Sequence, residues 1–96
     1  MIRGPKFRGI SYKCGTSYFV EKQWRKAITE FETIPMFLED ELVCEMLGTC
    51  YANLENKTKA IEMYVKARDM YEKTDNVDKK ERLNDKIEAL TSGSGK

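Results

Sequence analysis

The spacing of apolar residues along the chain predicts a protein made of helices. Ile10, Cys14 and Tyr18 recur at intervals of four, which places them on one face of a helix. We expect this first helix to begin between Lys6 and Ile10 and to end near Val20, where a short polar turn follows at 21–23.

The same periodicity predicts further helices along the chain. The second stops at Pro35, because proline cannot continue the hydrogen-bond ladder of a helix. The third begins at the acidic residues 39–41, whose charge complements the positive end of a helix, and the fourth follows a polar turn at 55–57. Thr74 or Asp75 is the expected N-cap of a fifth helix. Its narrow apolar stripe consists of Val77, Leu83, Ile87 and Leu90.

Two stretches of the chain repeat the same small and aromatic residues. Gly15, Tyr18, Ala27 and Phe31 are each followed, 33 residues later, by Gly48, Tyr51, Ala60 and Tyr64. A period of this length is typical of stacked helical hairpins, in which each unit buries its apolar face against a neighbour. The sequence therefore predicts an all-α fold of antiparallel helical hairpins, with about five helices.

These signals divide a single domain into six segments. A basic lead-in at 1–9, which can include the start of the first helix, precedes a first hairpin at 10–35. An inter-repeat turn at 36–40 leads into a second hairpin at 41–74. A capping helix at 75–90 follows, and the Gly- and Ser-rich tail at 91–96 is expected to be flexible.

Charge and composition narrow the classes of function. The 17 basic and 16 acidic residues give a net charge of +1, which favours neither nucleic acid nor an anionic membrane as a partner. A basic segment at 1–35 is nevertheless followed by an acidic one at 36–56. Apolar runs are too short to span a membrane, and three cysteines without a CxxC pair favour reduced thiols. We expect an intracellular protein, cytoplasmic or nuclear.

Catalytic and cofactor chemistry is not expected. The chain contains no histidine, so cysteines or serines lack their usual base and a zinc site lacks its usual ligands. The ending Gly93-Ser94-Gly95-Lys96 lacks the other parts of a phosphate-binding loop. We therefore predict that the protein is not an enzyme and has no catalytic residues, no metal and no cofactor.

The second hairpin resembles the tetratricopeptide repeat. Its residues Leu47-Gly48-Thr49-Cys50-Tyr51 are followed by Lys59-Ala60-Ile61-Glu62-Met63-Tyr64 and by Ala67. The first hairpin is more divergent, with Cys14 in place of the leucine and Ile34, directly before Pro35, in place of the second small residue. The resemblance implies about two repeats and a capping helix, stacked as a short superhelix.

The resemblance also implies a concave binding groove for a peptide or helix of another protein. In this family the first helix of each hairpin lines the groove. The matching outward positions here, with two from the fifth helix, are Tyr12, Thr16, Phe19, Glu45, Thr49, Asn53, Lys79 and Arg82. A subfamily that clamps carboxylates is not expected, because Tyr12, Thr16 and Met46 stand where its lysine and asparagines belong.

Three functions remain open at this point. The leading one is a protein-interaction module or scaffold subunit within a larger assembly. The alternative is an end fragment of a longer solenoid, whose first helix would bind neighbouring repeats or form a homodimer through Phe7, Ile10 and Phe19. RNA binding by interleaved basic and aromatic residues is a minor alternative. It is not expected, because Tyr18 belongs to the repeat core.

Overall fold

A computed structural model describes the backbone of residues 4–93 and the side chains of residues 10–91. Its helices are α1 (Gly4–Val20), α2 (Trp24–Glu32), α3 (Glu41–Asn53), α4 (Lys57–Lys73) and α5 (Val77–Gly93), with a 3-10 turn at Phe37–Glu39. The described residues contain no strand, and the predicted all-α fold is confirmed. Within this described part, no helix has the length and apolar character needed to cross a membrane.

Both end helices are longer than the sequence predicted. The first helix begins at Gly4, so most of the basic lead-in is helical. The fifth helix continues to Gly93, past the predicted end at Leu90, and Thr91 donates its hydroxyl to the carbonyl of Glu88 at 3.1 Å within it. Each added residue extends an existing hydrogen-bond ladder, which outweighs the turn preference of serine and glycine there. The rest of the predicted tail, 94–96, lies outside the described residues.

Three helices end in the same turn. At the ends of α1, α3 and α4, a left-handed residue is followed by one whose backbone N–H bonds to the carbonyl of a tyrosine five positions earlier. The left-handed residues are Lys22, Glu55 and Asp75, and the tyrosines are Tyr18, Tyr51 and Tyr71. A lysine eight residues after each tyrosine lies over its ring, at 5.5 to 5.8 Å from the ring centre.

The third of these turns corrects the predicted start of the fifth helix. Thr74 donates its hydroxyl to the carbonyl of Tyr71 at 3.1 Å, so it closes the end of α4. Asp75 is the left-handed residue, with φ of 60°, and does not cap α5. The fifth helix begins only at Val77, which is 54% exposed and does not join the predicted apolar stripe.

Each helix packs mainly on the next one along the chain. Two core clusters result, one around Phe31 and Leu47 and the other around Tyr64, Tyr71 and Leu83. The first cluster joins α2 to the second hairpin, and the second cluster joins that hairpin to Leu83 of α5, so the core extends across the boundaries between hairpins.

The same contact between a glycine and an aromatic ring occurs inside each hairpin. A Cβ on Gly15 would lie 2.5 Å from the ring of Phe31, and a Cβ on Gly48 would lie 2.6 Å from the ring of Tyr64. The 33-residue repeat therefore corresponds to the same glycine–aromatic contact made twice. The absence of a side chain at each glycine lets the paired helix lie close.

Ile10 is exposed, although it shares the apolar spacing of Cys14 and Tyr18 along α1. Its exposed fraction is 58%. The hydroxyl of Ser11 is hydrogen-bonded to that of Thr33 at 2.8 Å, which marks the level at which α2 ends. Since α2 has 9 residues and α1 has 17, the first part of α1 extends beyond its partner.

Candidate partner-binding surface

The three candidates on α3 form a row along one face of that helix. Glu45, Thr49 and Asn53 are spaced by four residues, and the Asn53 side-chain amide donates to the carbonyl of Thr49 at 2.8 Å. The hydroxyl of Thr49 is hydrogen-bonded to the hydroxyl of Tyr64, on α4, at 2.8 Å. This face of α3 is therefore directed towards α4.

The two candidates on α5 lie beside this row. Arg82 Nη2 donates to Glu45 Oε2 at 2.6 Å, which joins α5 to α3. Lys79 Nζ lies 5.5 Å from the ring centre of Tyr71, and Lys86 Nζ lies 5.9 Å from that of Tyr64. Lys79, Arg82 and Lys86 thus form a row of three cations on one face of α5, which we call the cationic row.

Tyr71 holds the Glu45 carboxylate in place. Its hydroxyl donates to Glu45 Oε1 at 3.1 Å, while Arg82 occupies the other carboxylate oxygen. The Tyr71 side chain is buried, and this burial, together with the nearby Glu45 charge, raises the pKa of the Tyr71 hydroxyl. The hydroxyl stays protonated at neutral pH and remains a donor.

These residues make one continuous surface, which we call the inner surface. Its floor is formed by the buried rings of Tyr64 and Tyr71 on α4, and its sides by the α3 row and the cationic row. Lys79, Arg82 and Glu45 meet at Tyr71, whereas Thr49 and Lys86 meet at Tyr64. The surface carries three cations and the Glu45 carboxylate, and the Glu41 carboxylate, one turn earlier on α3, also lies near enough to Tyr71 to raise the pKa of its hydroxyl, so the cations exceed the carboxylates by one.

Sequence reasoning missed Lys86 as a member of this surface. The spacing of residues 79, 82 and 86, by three and then four, places them on one helix face and could have identified it. The prediction stopped at Arg82 because the family resemblance supplied only two positions on this helix.

The α1 candidates lie against the first hairpin. Tyr12 is half-buried, with its ring centre 6.3 Å from that of Phe31. Thr16 donates its hydroxyl to the carbonyl of Lys13, within its own helix, and lines a shallow cleft of about 270 Å³.

Phe19 lies at the turn between α1 and α2. It packs edge-on against Trp24, with 5.6 Å between ring centres, and is half-buried. Trp24 is the first residue of α2, so the tight turn between α1 and α2 brings the two rings together.

The buried thiols are poor candidates for chemistry. Burial raises the pKa of Cys44 to about 11 and that of Cys50 to about 12, which keeps both protonated at neutral pH. Cys44 Sγ also donates to the carbonyl of Leu38 at 3.5 Å. Among the side chains that the structure describes, no group of three potential metal ligands occurs.

The inner surface presents polar and charged groups in fixed positions. It offers charged and hydrogen-bonding groups held by neighbouring side chains, and its tyrosine rings are covered. Comparison of this chain with models of known families, with curated proteins and with solved structures gave no match.

Proposed function

We propose that this chain is a protein-interaction module that holds a peptide or helix of another protein on its inner surface, within a larger assembly. One observation carries the proposal. The contact between Glu45 and Arg82 brings together two helices that are separated in the sequence by all of α4. Candidates chosen from distant parts of the chain thereby share one surface.

The inner surface is organised before a partner arrives. Glu45 is held by Tyr71 and Arg82, and Thr49 is held by Tyr64. A partner would therefore lose its own freedom on binding but would order few side chains of this chain, which lowers the entropic cost of association. The resemblance of the second hairpin to the tetratricopeptide repeat points to the same type of function.

Self-association through α1 has weaker support. It requires Phe7, Ile10 and Phe19 to form one exposed apolar patch, but Phe19 packs on Trp24. Ile10 and Val20 are exposed, yet the exposed polar residues Lys13 and Ser17 lie between them on that side of α1. The side chain of Phe7 lies outside the described residues.

A steric block of the inner surface tests the proposal. Asn53 is exposed at the end of the α3 row, so Asn53→Trp places a bulky, uncharged side chain there without disturbing Glu45. Thr58→Trp is the matched control, because Thr58 is exposed on α4 and lies about 120° around that helix from Tyr64. Tryptophan has a helix propensity close to those of asparagine and threonine.

The measurement is affinity capture from cell extract with the wild-type chain and both variants. We expect a partner that the wild-type and Thr58→Trp chains retain and that Asn53→Trp loses. Capture of the same proteins by all three chains, each with unchanged circular dichroism, would show that partners do not use the inner surface.

A further inference from the structure

The charges of α5 are sorted into two rows on different sides of the helix. The cationic row faces the inner surface, where its members contact Tyr71, Glu45 and Tyr64. The second row, which we call the acidic row, lies about 110° further around the helix. It consists of Asp78, Glu81, Asp85 and Glu88.

The cationic row has more positive charge than the inner surface neutralises. Glu45 pairs with Arg82, whose side chain is nevertheless 52% exposed and keeps further N–H donors for another acceptor. Lys79 and Lys86 lie over tyrosine rings, which attract a cation but carry no formal counter-charge. With the Glu41 carboxylate also near Tyr71, the inner surface keeps an excess of one positive charge, carried by this side of α5.

We propose that the partner's bound segment is acidic and places carboxylate side chains on Lys79, Arg82 and Lys86. This inference rests on the proposed function and names the chemistry of the partner. Lys79 and Lys86 are seven residues apart, which is two helical turns or about 10.5 Å along α5. A helical segment with acidic residues at positions i, i+3 and i+7 matches that spacing when it lies beside α5.

The acidic row favours a short acidic protein segment over a nucleic acid. A helix with its side chains is only about 10–12 Å across, so both rows of α5 lie within roughly one Debye length of a ligand bound on either. Nucleic acids carry closely spaced charges along their whole length and would also approach Asp78 and Glu81. A segment with two or three carboxylates can stay on the cationic row.

Fluorescence anisotropy with defined probes tests the inference on the full chain. The acidic probe is a fluorescein-labelled, alanine-rich helical peptide with glutamate at i, i+3 and i+7. The neutral probe has glutamine at those positions, and the third probe is a labelled oligouridylate. At low salt, about 50 mM, we expect the acidic probe to bind roughly tenfold more tightly than the neutral probe.

A pair of double variants locates the effect on α5. Lys79→Gln with Lys86→Gln removes two charges from the cationic row, and we expect acidic-probe affinity to fall about five- to tenfold. Lys57→Gln with Lys73→Gln removes the same charge from exposed ends of α4 and should leave the affinity within about twofold. Arg82 is left intact because it also supports Glu45.

Three results would overturn the inference. The first is equal binding of the acidic and neutral probes. The second is an equal loss of affinity in both double variants. The third is binding of oligouridylate that is tighter than that of the acidic probe and that is weakened by Lys79→Gln with Lys86→Gln. If any of these occurs while Asn53→Trp still loses a captured partner, the inner surface binds a protein of different chemistry and the proposed function stands. If capture is also unaffected by Asn53→Trp, the proposed function fails as well.

Discussion

Gly48 provides a direct test of how the second hairpin is packed. A Cβ at this position would lie 2.6 Å from both Cδ1 and Cε1 of Tyr64. The Tyr64 ring is 3% exposed, and its hydroxyl is fixed to Thr49 at 2.8 Å. To restore an ordinary carbon–carbon separation of about 3.5–4.0 Å, a buried ring would have to move by roughly 1 Å.

Two opposing effects decide the result of Gly48→Ala. Alanine is the better helix former by about 0.8–1 kcal/mol, which favours the variant. Overpacking of a filled core costs about 1–3 kcal/mol, which opposes it. We expect overpacking to dominate and to lower the free energy of unfolding by about 1 kcal/mol, equivalent to a fall in Tm of about 4–8 °C for a domain of this size. Thermal and urea unfolding followed by circular dichroism measure both quantities.

The Tyr64→Leu background separates the two effects. With the ring removed, the new methyl group has space, and Gly48→Ala should become stabilising by up to about 1 kcal/mol through helix propensity. The sign of the substitution therefore reverses between the two backgrounds. If Gly48→Ala stabilises the chain that retains Tyr64, or if both backgrounds give the same sign, the glycine–aromatic contact does not set the helix separation.

Two further predictions concern a turn and the buried thiols. Glu55→Gly should raise the free energy of unfolding by about 0.5–1 kcal/mol, because Glu55 is exposed with φ of 63° and glycine adopts this conformation without strain. Glu62→Gly, within α4, should instead lower the free energy of unfolding by about 1 kcal/mol. If urea unfolding shows an equal decrease for Glu55→Gly, the turn assignment is wrong. Stability should also fall as pH rises above about 9, since Cys44 and Cys50 have ordinary pKa values of 9.0 when unfolded but about 11 and 12 when folded. As pH rises, the thiols of the unfolded chain ionise before those of the folded chain. Each cysteine therefore lowers the free energy of unfolding by at most about 1.4 kcal/mol per pH unit. Urea unfolding in reductant between pH 7 and 11 measures this slope, and an unchanged slope in Cys50→Ala would count against it.

The helices were predictable because their signals are local. The repeat of glycine and aromatic residues predicted paired helices, and Gly48 and Tyr64 do lie in neighbouring helices joined by one short turn. The left-handed conformation at the helix ends could not be predicted from the sequence. Lys22, Glu55 and Asp75 adopt the left-handed conformation that glycine usually signals, so their residue types gave no indication of it.

The contacts of the inner surface could not be derived from spacing alone. The contact between Glu45 and Arg82 joins residues 37 positions apart, and its formation depends on where α4 ends and how α5 turns back. The misplaced start of the fifth helix shows this dependence, because Val77 was assigned to a buried stripe although it is the first residue of α5. Periodicity identifies a helix face but does not determine which part of that face is covered.

The members of the inner surface differ in what they contribute to folding and to recognition. Glu45 satisfies both the Tyr71 hydroxyl and the Arg82 guanidinium, so replacing it would weaken the join between α3 and α5 as well as any partner contact. Asn53 is exposed at the end of α3 and Lys86 lies over the Tyr64 ring, so their replacement leaves that join intact. Loss of binding after substitution at these two positions, with stability unchanged, would therefore report on recognition, whereas the same loss at Glu45 could arise from either cause.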